Sequence, residues 1–578
     1  MLDDERAGTR PAPTADVRGG RRSGQAAWLS RVGLWALPLA FLAVFFFLPF
    51  GRILAYSFSP EAFRGESLQV AAQTLLFTVY QAFLSTVLTL LAGVPLAYLM
   101  ARFRFRGKIL LRALTLVPFM LPTVVVAAGF NALLGPRGLV NVLLERLLGL
   151  SNPPIVFVGT LGAILLAHVF YNTAIVIRIV GNALSSLDPK LEQAAQSLGA
   201  NRARLWTTLY LPLLRPALLA ASVLVFLFDF TSFGVILLLG GPAFATLEVQ
   251  IYEQSLYYLN LPVAALLAII QLACTLAFSI VYSKMIARNV VRTAPRSAES
   301  NLREPRTTGQ KLFVGGMVAL IIVLFILPMI ALPVRSIARL DAERGQRGGF
   351  QSGLTTDYYS ELFVNRRNSI TYVPPFDAAL NSLAYAGATV VLSLAMGIPA
   401  AWALSKPGRI ERVLDPVLIL PLGASAVTLG LGFIATFGRW LLYPWFVPLA
   451  HTLVALPFVI RALQPAMATI PVRLRQAAAS LGASPFEAWQ TVDWPILRRA
   501  TLAAAVFAFT ISLGEFGATA LVSRPDYPTI PIAIYRFLSQ PGALNYGQAM
   551  AMATLLMLIA TAGILLIEKL RLPGAGEF

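Results

Sequence analysis

Long apolar runs broken by short polar turns fill the chain from about residue 33 to 568. Twelve of them read as membrane spans: 33–55, 73–100, 111–134, 155–181, 215–239, 262–284, 312–334, 379–404, 414–437, 441–463, 500–522 and 546–568. A hydrocarbon core takes roughly 20 residues of helix to cross. The runs are continuous rather than alternating, which selects helices over barrel strands. The expected fold is all-α, a polytopic membrane protein of twelve transmembrane helices. Residues 1–32 are rich in Arg, Ala, Gly and Pro without an apolar core, and read as a disordered basic tail. Residues 569–578 form a second, short tail.

One polar interruption occurs twice. Its first copy runs Leu191-Glu192-Gln193-Ala194-Ala195-Gln196-Ser197-Leu198-Gly199-Ala200, and its second Leu474-Arg475-Gln476-Ala477-Ala478-Ala479-Ser480-Leu481-Gly482-Ala483. Pro212 and Pro495 follow the glycines at the same spacing. Each copy predicts a short helix ended by its glycine. A second short helix should follow, closed by the proline before the next span. Asp188-Pro189 supplies an N-cap and first-turn proline in the first copy, and Ser484 with Glu487 has capping-box spacing in the second. The small Ala194-Ala195 and Ala477-Ala478 pairs would let a partner approach closely.

The elbow is part of a larger repeat. At an offset of 283, His168 matches His451, Phe233-Gly234 matches Phe516-Gly517, and Ile251-Tyr252 matches Ile534-Tyr535. At an offset of 304, Gly93-Val94-Pro95 matches Gly397-Ile398-Pro399. The chain therefore divides into two six-span modules, 33–286 and 312–568, joined by a charged linker at 287–311. Six is even, so the modules enter from the same side, and a substrate path is expected between them.

Composition sharpens this picture. The chain is 57% apolar and 13% charged, against roughly 45–50% and 25% in soluble domains. The net charge of +19 would invite a nucleic-acid partner, but its placement argues otherwise. With the N-terminus cytoplasmic, most Lys and Arg fall on inward segments, the positive-inside pattern, and anionic membrane lipid is the counter-charge. The single cysteine, Cys274, has no partner for a disulfide or a cysteine metal site.

Few residues carry candidate chemistry. No G-x-x-x-x-G-K-[ST] phosphate loop occurs, so ATP is not expected on this chain. No catalytic metal motif or nucleophile elbow stands out either, and the chain reads as a non-enzyme that binds no cofactor. Asp229 and Glu515 fall inside apolar runs, where a carboxylate usually faces a bundle interior or water. At the 283 offset Asp229 aligns with Ser512 and Glu515 with Ser232, so acid and hydroxyl exchange places. These four residues are candidates for a path favouring a cation. His168 and His451 join them as candidates, although two histidines make an incomplete site for a hard metal, and helix-packing hydrogen bonds are the preferred role. The segments after spans five and eleven, 239–260 and 522–545, suit outer gates or contact with a delivering protein.

The doubled Ala-Ala-x3-Gly-x9-[Leu/Val]-x-x-Pro pattern resembles the signature loop of binding-protein-dependent permeases of ATP-binding-cassette importers. The fused layout is similar to the iron(III) and thiamine type. The resemblance implies that each elbow, with Gln193, Ala194, Ala195, Gly199 and Pro212 in one and Gln476, Ala477, Ala478, Gly482 and Pro495 in the other, docks one of two separate ATP-binding subunits. It also implies a solute-binding protein on the outer side and a place in the bacterial cytoplasmic membrane. Iron(III) is the favoured solute, thiamine next. The family's usual acid before Ala-Ala is Gln193 or Gln476 here, which puts a salt bridge from that position in doubt. The alternative is an ion-coupled secondary transporter, which explains twelve spans but not paired elbows.

Overall fold

The computed structural model describes residues 34–289, 302–339, 353–364, 373–405 and 408–570. The 1–32 tail, residues 290–301 of the 287–311 linker and residues 571–578 lie outside them. Eleven helices among the described residues are long and apolar enough to cross a membrane, or twelve if the bent pair Ile410–Gly423 and Ala426–Leu442 is counted as one span.

The first half runs α1 (Leu34–Ser57), α2 (Gly65–Arg102), α3 (Lys108–Met120), α4 (Thr123–Leu134), α5 (Leu139–Leu148), α6 (Leu161–Ser186), α7 (Pro189–Ser197), α8 (Leu205–Phe230), α9 (Gly234–Leu239), α10 (Leu247–Leu256) and α11 (Leu261–Asn289). The second runs α12 (Thr308–Ile337), α13 (Pro375–Leu404), α14 (Arg409–Gly423), α15 (Ala426–Phe437), α16 (Phe446–Ala468), α17 (Val472–Ser480), α18 (Pro485–Gly514), α19 (Gly517–Val522), α20 (Ile530–Leu538) and α21 (Ala543–Leu570).

Four expected spans are interrupted. The run at 111–134 breaks at Leu121-Pro122, where the proline forces the residue before it into extended backbone (Leu121 ψ 142°). The run at 414–437 turns through 93° between α14 and α15, with Ser425 Oγ capping the new helix at Thr428 N, 3.0 Å. A 12-residue α4 is only about 18 Å long and reaches crossing length only together with α5, as Thr123–Leu148. Hydropathy could not show this, because both pieces are apolar. The runs at 215–239 and 500–522 break after Phe230 and Gly514, and short α9 and α19 follow.

The halves exchange their first helices. α1 packs on α15 of the second half as well as on α11 of its own, and the end of α12 packs on α4 of the first half as well as on α21. Glycine permits both crossings. A β-carbon on Gly432 would stand 2.9 Å from Pro49 Cβ, and one on Gly129 would stand 3.0 Å from the Pro328 carbonyl oxygen. Within each half the second span lies tight on the fourth: β-carbons at Gly93 and Gly397 would meet Val176 and Val459 side chains at 2.6 Å. The repeat read from sequence is thus a repeat of close contacts.

Candidate functional site: paired elbows and buried histidine–acid braces

Both elbows fold alike. In α7 Asp188 accepts from Lys190 N at 3.0 Å, and Gly199 ends the helix at φ 82°. In α17 Gly482 does the same at φ 85°. Each glycine bonds back along the helix, Gly199 N to Gln196 O at 2.9 Å and Gly482 N to Ala479 O at 3.0 Å. The following Ala200 and Ala483 reach Ala195 O and Ala478 O, both at 3.0 Å. This satisfies the last carbonyls by the motif that favours glycine. Ser484 and Glu487 form their capping box.

Pro212 and Pro495 do not close a separate helix. Helix continues through both prolines into the span, because a π turn precedes each, at Leu205–Tyr210 and Trp489–Asp493. A proline lacks the N–H and crowds the preceding turn of an α-helix, and the wider π turn relieves the mismatch. The same device precedes Pro49 and Pro328 in the first span of each half.

Gln193, Ala194, Gly199, Gln476, Ala477 and Gly482 are exposed, and Ala195 and Ala478 are half-buried. The most prominent feature is one that motif reasoning passed over. Leu198 and Leu481 occupy equivalent places just before the glycines and are 88% and 89% exposed. Their signal was present: a leucine before the glycine in both copies.

The charged residues just before Gln193 and Gln476 turn inward instead. Glu192 is buried and accepts from Tyr210 OH at 2.7 Å and Arg303 Nη1 at 2.9 Å; Arg303 Nη2 also donates to Tyr98 OH at 2.7 Å. Burial works against the Arg303 charge, but Tyr98 and Glu192 outweigh it and raise its pKa above the ordinary value. In the second half Arg475 Nε donates to Asp493 at 2.8 and 3.1 Å and lies 4.4 Å from the Trp402 ring centre. Positions 192 and 475 correspond, as do 210 and 493. Each elbow is therefore tied to the base of the following span by the same pair of positions, with the charge inverted.

Deeper in the bundle, each histidine from the fourth span braces the break in the fifth. His168 Nδ1 meets Ser85 Oγ at 2.9 Å and Asp229 Oδ1 at 3.2 Å, while Nε2 meets Ser232 Oγ at 3.0 Å. His451 Nδ1 meets Ser512 Oγ at 2.7 Å, while Nε2 meets Thr519 Oγ1 at 2.7 Å and Glu515 Oε2 at 3.3 Å. All eight residues are buried. The rings face the same positions in both halves, and the exchanged acid lies against Nδ1 in the first half and Nε2 in the second. Sequence alignment found the exchange but not the histidine contact that explains it.

The braces are not equal. Glu515 also accepts from Ala518 N at 2.9 Å, Thr519 N at 3.0 Å and Thr519 Oγ1 at 2.5 Å, so it caps α19. Asp229 has Asn172 Nδ2 at 2.7 Å on Oδ1, and its Oδ2 has no donor among the described residues. A further buried acid, Glu248, escaped notice because it lies outside the apolar runs; it accepts from Gln271 and from Ser425 Oγ, the latter at 3.0 Å from the other half. Among the described residues no group of three or more His, Cys, Asp or Glu is placed to hold a metal ion.

Comparison with known proteins agrees with this architecture. The model of the binding-protein-dependent transport system inner membrane component matches residues 93–291, which include the first elbow. The thiamine transport system permease protein ThiP of Brucella abortus (strain 2308) is 27% identical over 568 residues, covering 95% of this chain and 97% of the relative. The protein of the same name in Escherichia coli (strain K12) is 27% identical over 518 residues, covering 86% and 88%. A solved bacterial ABC transporter involved in import of the acidic polysaccharide alginate aligns at a TM-score of 0.39 and 20% identity, over 47% of this chain and 99% of that one; at that score it bears on neither fold nor function. Along 95% of its length this multi-pass chain, with an elbow in each half, is similar to inner-membrane permeases of the binding-protein-dependent ATP-binding-cassette importers.

Proposed function

We propose that the chain imports thiamine, handed over by an extracytoplasmic binding protein and driven by two ATP-binding subunits, one on each elbow. The observation that carries the reading is the doubled elbow with its exposed Leu198 and Leu481, in a chain similar along 95% of its length to a permease named for thiamine. Those relatives favour thiamine over the iron(III) expected from sequence. The positive-inside distribution supports a cytoplasmic N-terminus and cytoplasmic elbows. Gln193, Ala194, Ala195, Gly199 and Pro212, with Gln476, Ala477, Ala478, Gly482 and Pro495, form the two docking surfaces. The chain itself binds no nucleotide and catalyses no reaction.

Motion follows from the ties at each elbow. Glu192–Tyr210 and Arg475–Asp493 fix the short helix to the base of α8 or α18. A push on the elbow therefore moves the long helix whose far end is braced by His168 or His451. The subunits drive transport only by binding one state of the permease better than the other.

The test is uptake by the complete transporter in proteoliposomes. ATP-dependent accumulation of thiamine that survives a proton or sodium ionophore is expected. Accumulation that needs an ion gradient and not ATP would replace this reading with the secondary transporter. Iron(III) uptake without thiamine uptake would overturn the substrate.

A further inference from the structure

The boundary between the halves holds an aromatic cluster. Helix α8 rises for 26 residues from its elbow, about 39 Å, so its break lies a membrane thickness from the docking surface. At that break Phe233 stacks on Phe516 of the other half, with ring centres 5.4 Å apart and planes 24° apart. Tyr252 lies 5.4 Å from Phe233, and Tyr535 lies 5.7 Å from Phe516, each tilted by 59°. The four rings are two repeat-related pairs closing on each other. The hydroxyls of Tyr252, Tyr257 and Tyr535 interact with one another beside them. Glycine brings the backbones together: a β-carbon on Gly234 would stand 3.1 Å from the Phe516 ring.

Three buried acids lie close in sequence to this cluster. Asp229, at the end of α8, stands four residues before Phe233, Glu515 adjoins Phe516, and Glu248 stands one turn before Tyr252 on α10. Their partners are amides, hydroxyls, backbone N–H groups and histidines, with no Lys or Arg among them. Glu248 has no acidic counterpart, since Pro531 holds the equivalent place. Asp229 Oδ2 is buried and without a donor among the described residues. Aromatic faces attract cations and repel anions through the ring quadrupole; burial pushes the Glu248 carboxyl up to about 8, so it is held neutral until a cation beside it favours its charged form, which adds to that preference.

We propose that Phe233, Phe516, Tyr252 and Tyr535 form the selective constriction of the pathway, and that with Glu248 and Asp229 it passes flat, singly charged heteroaromatic cations in preference to anions. The thiazolium ring of thiamine is of this class, so the inference deepens the reading above and rests on it for the identity of the cargo.

The test separates the two. The complete transporter is reconstituted without ATP, and vesicles are loaded with thiamine or with sulfanilate, a flat monoanion. Phe233→Ala/Phe516→Ala is expected to leak, releasing thiamine about tenfold faster than sulfanilate, because the Tyr252 and Tyr535 rings and the acids beside them remain. Glu248→Gln in that background is expected to cut the ratio about threefold. Phe516→Ala alone should show the same preference with a slower leak, and serves if the double variant does not fold. A sealed alanine variant, equal release of both solutes, or a ratio unmoved by Glu248→Gln would overturn the constriction. Failure of the unsubstituted transporter to accumulate thiamine with ATP would overturn the cargo, while a cation-selective leak would still support the constriction.

Discussion

Replacing Leu198 and Leu481 together by glutamate abolishes ATP-driven uptake and co-purification of the ATP-binding subunits, with the permease still folded. Both side chains project almost wholly into solvent, so neither supports the bundle and the thermal midpoint should not move. Burying one leucine side chain in a partner is worth about 1.5–3 kcal/mol. A carboxylate forced into the same groove without a counter-charge loses that gain and costs several kcal/mol more. One substitution should weaken association about 100-fold or more by the same arithmetic. Two should leave no subunit bound at working concentrations. Leucine-to-methionine exchange at both places should be nearly silent. Pull-down of the subunits, thermal unfolding and uptake, measured on the same preparations, check all three statements.

His168→Leu destabilises the protein by about 3 kcal/mol, and His451→Leu by about 1–2 kcal/mol. The difference comes from what each acid keeps. Without His451, Glu515 still accepts from two backbone N–H groups and the Thr519 hydroxyl. Without His168, Asp229 keeps only Asn172 on one oxygen and nothing on the other. Adding Asp229→Asn to His168→Leu should recover a large part of the loss, since an amide costs far less than a stranded carboxylate in a buried site. Adding Glu515→Gln to His451→Leu should recover little. Thermal unfolding in detergent of the four variants reads the comparison, and equal losses at the two histidines would contradict the unequal bracing.

The sequence made the fold class and the repeat legible because both rest on composition and identity. Apolar runs of the right length located the crossings, and the constant offsets placed His168 with His451 and Phe233 with Phe516 before any coordinates. Three things were hidden, each for a physical reason. The breaks at Leu121-Pro122 and Ala424-Ser425 separate two equally apolar pieces, so hydropathy passes across them without change. The exchange of first helices depends on which half a glycine faces, as Gly129 on Pro328 and Gly432 on Pro49, and no single-chain pattern carries that. The role of Pro212 and Pro495 was misjudged because proline ordinarily ends a helix, whereas the π turns before them let it continue. At the elbows Glu192 and Arg475 hold each elbow to its own chain, while Gln193 and Gln476, which stand where the family has its acid, are exposed. The aromatic constriction was half legible. Its four residues were matched by offset, but their meeting across the halves required the fold.

The central claim is that Leu198 and Leu481 stand on the cytoplasmic face and each meets one ATP-binding subunit. The most direct measurement places a single cysteine at either position, with Cys274→Ser as background, and adds a short thiol-to-amine cross-linker to the assembled transporter. Each position is expected to trap one subunit, both together two, and a membrane-impermeant maleimide added to intact cells should label neither. Labelling from outside, or uptake that persists while neither position can be linked to a subunit, would contradict the account.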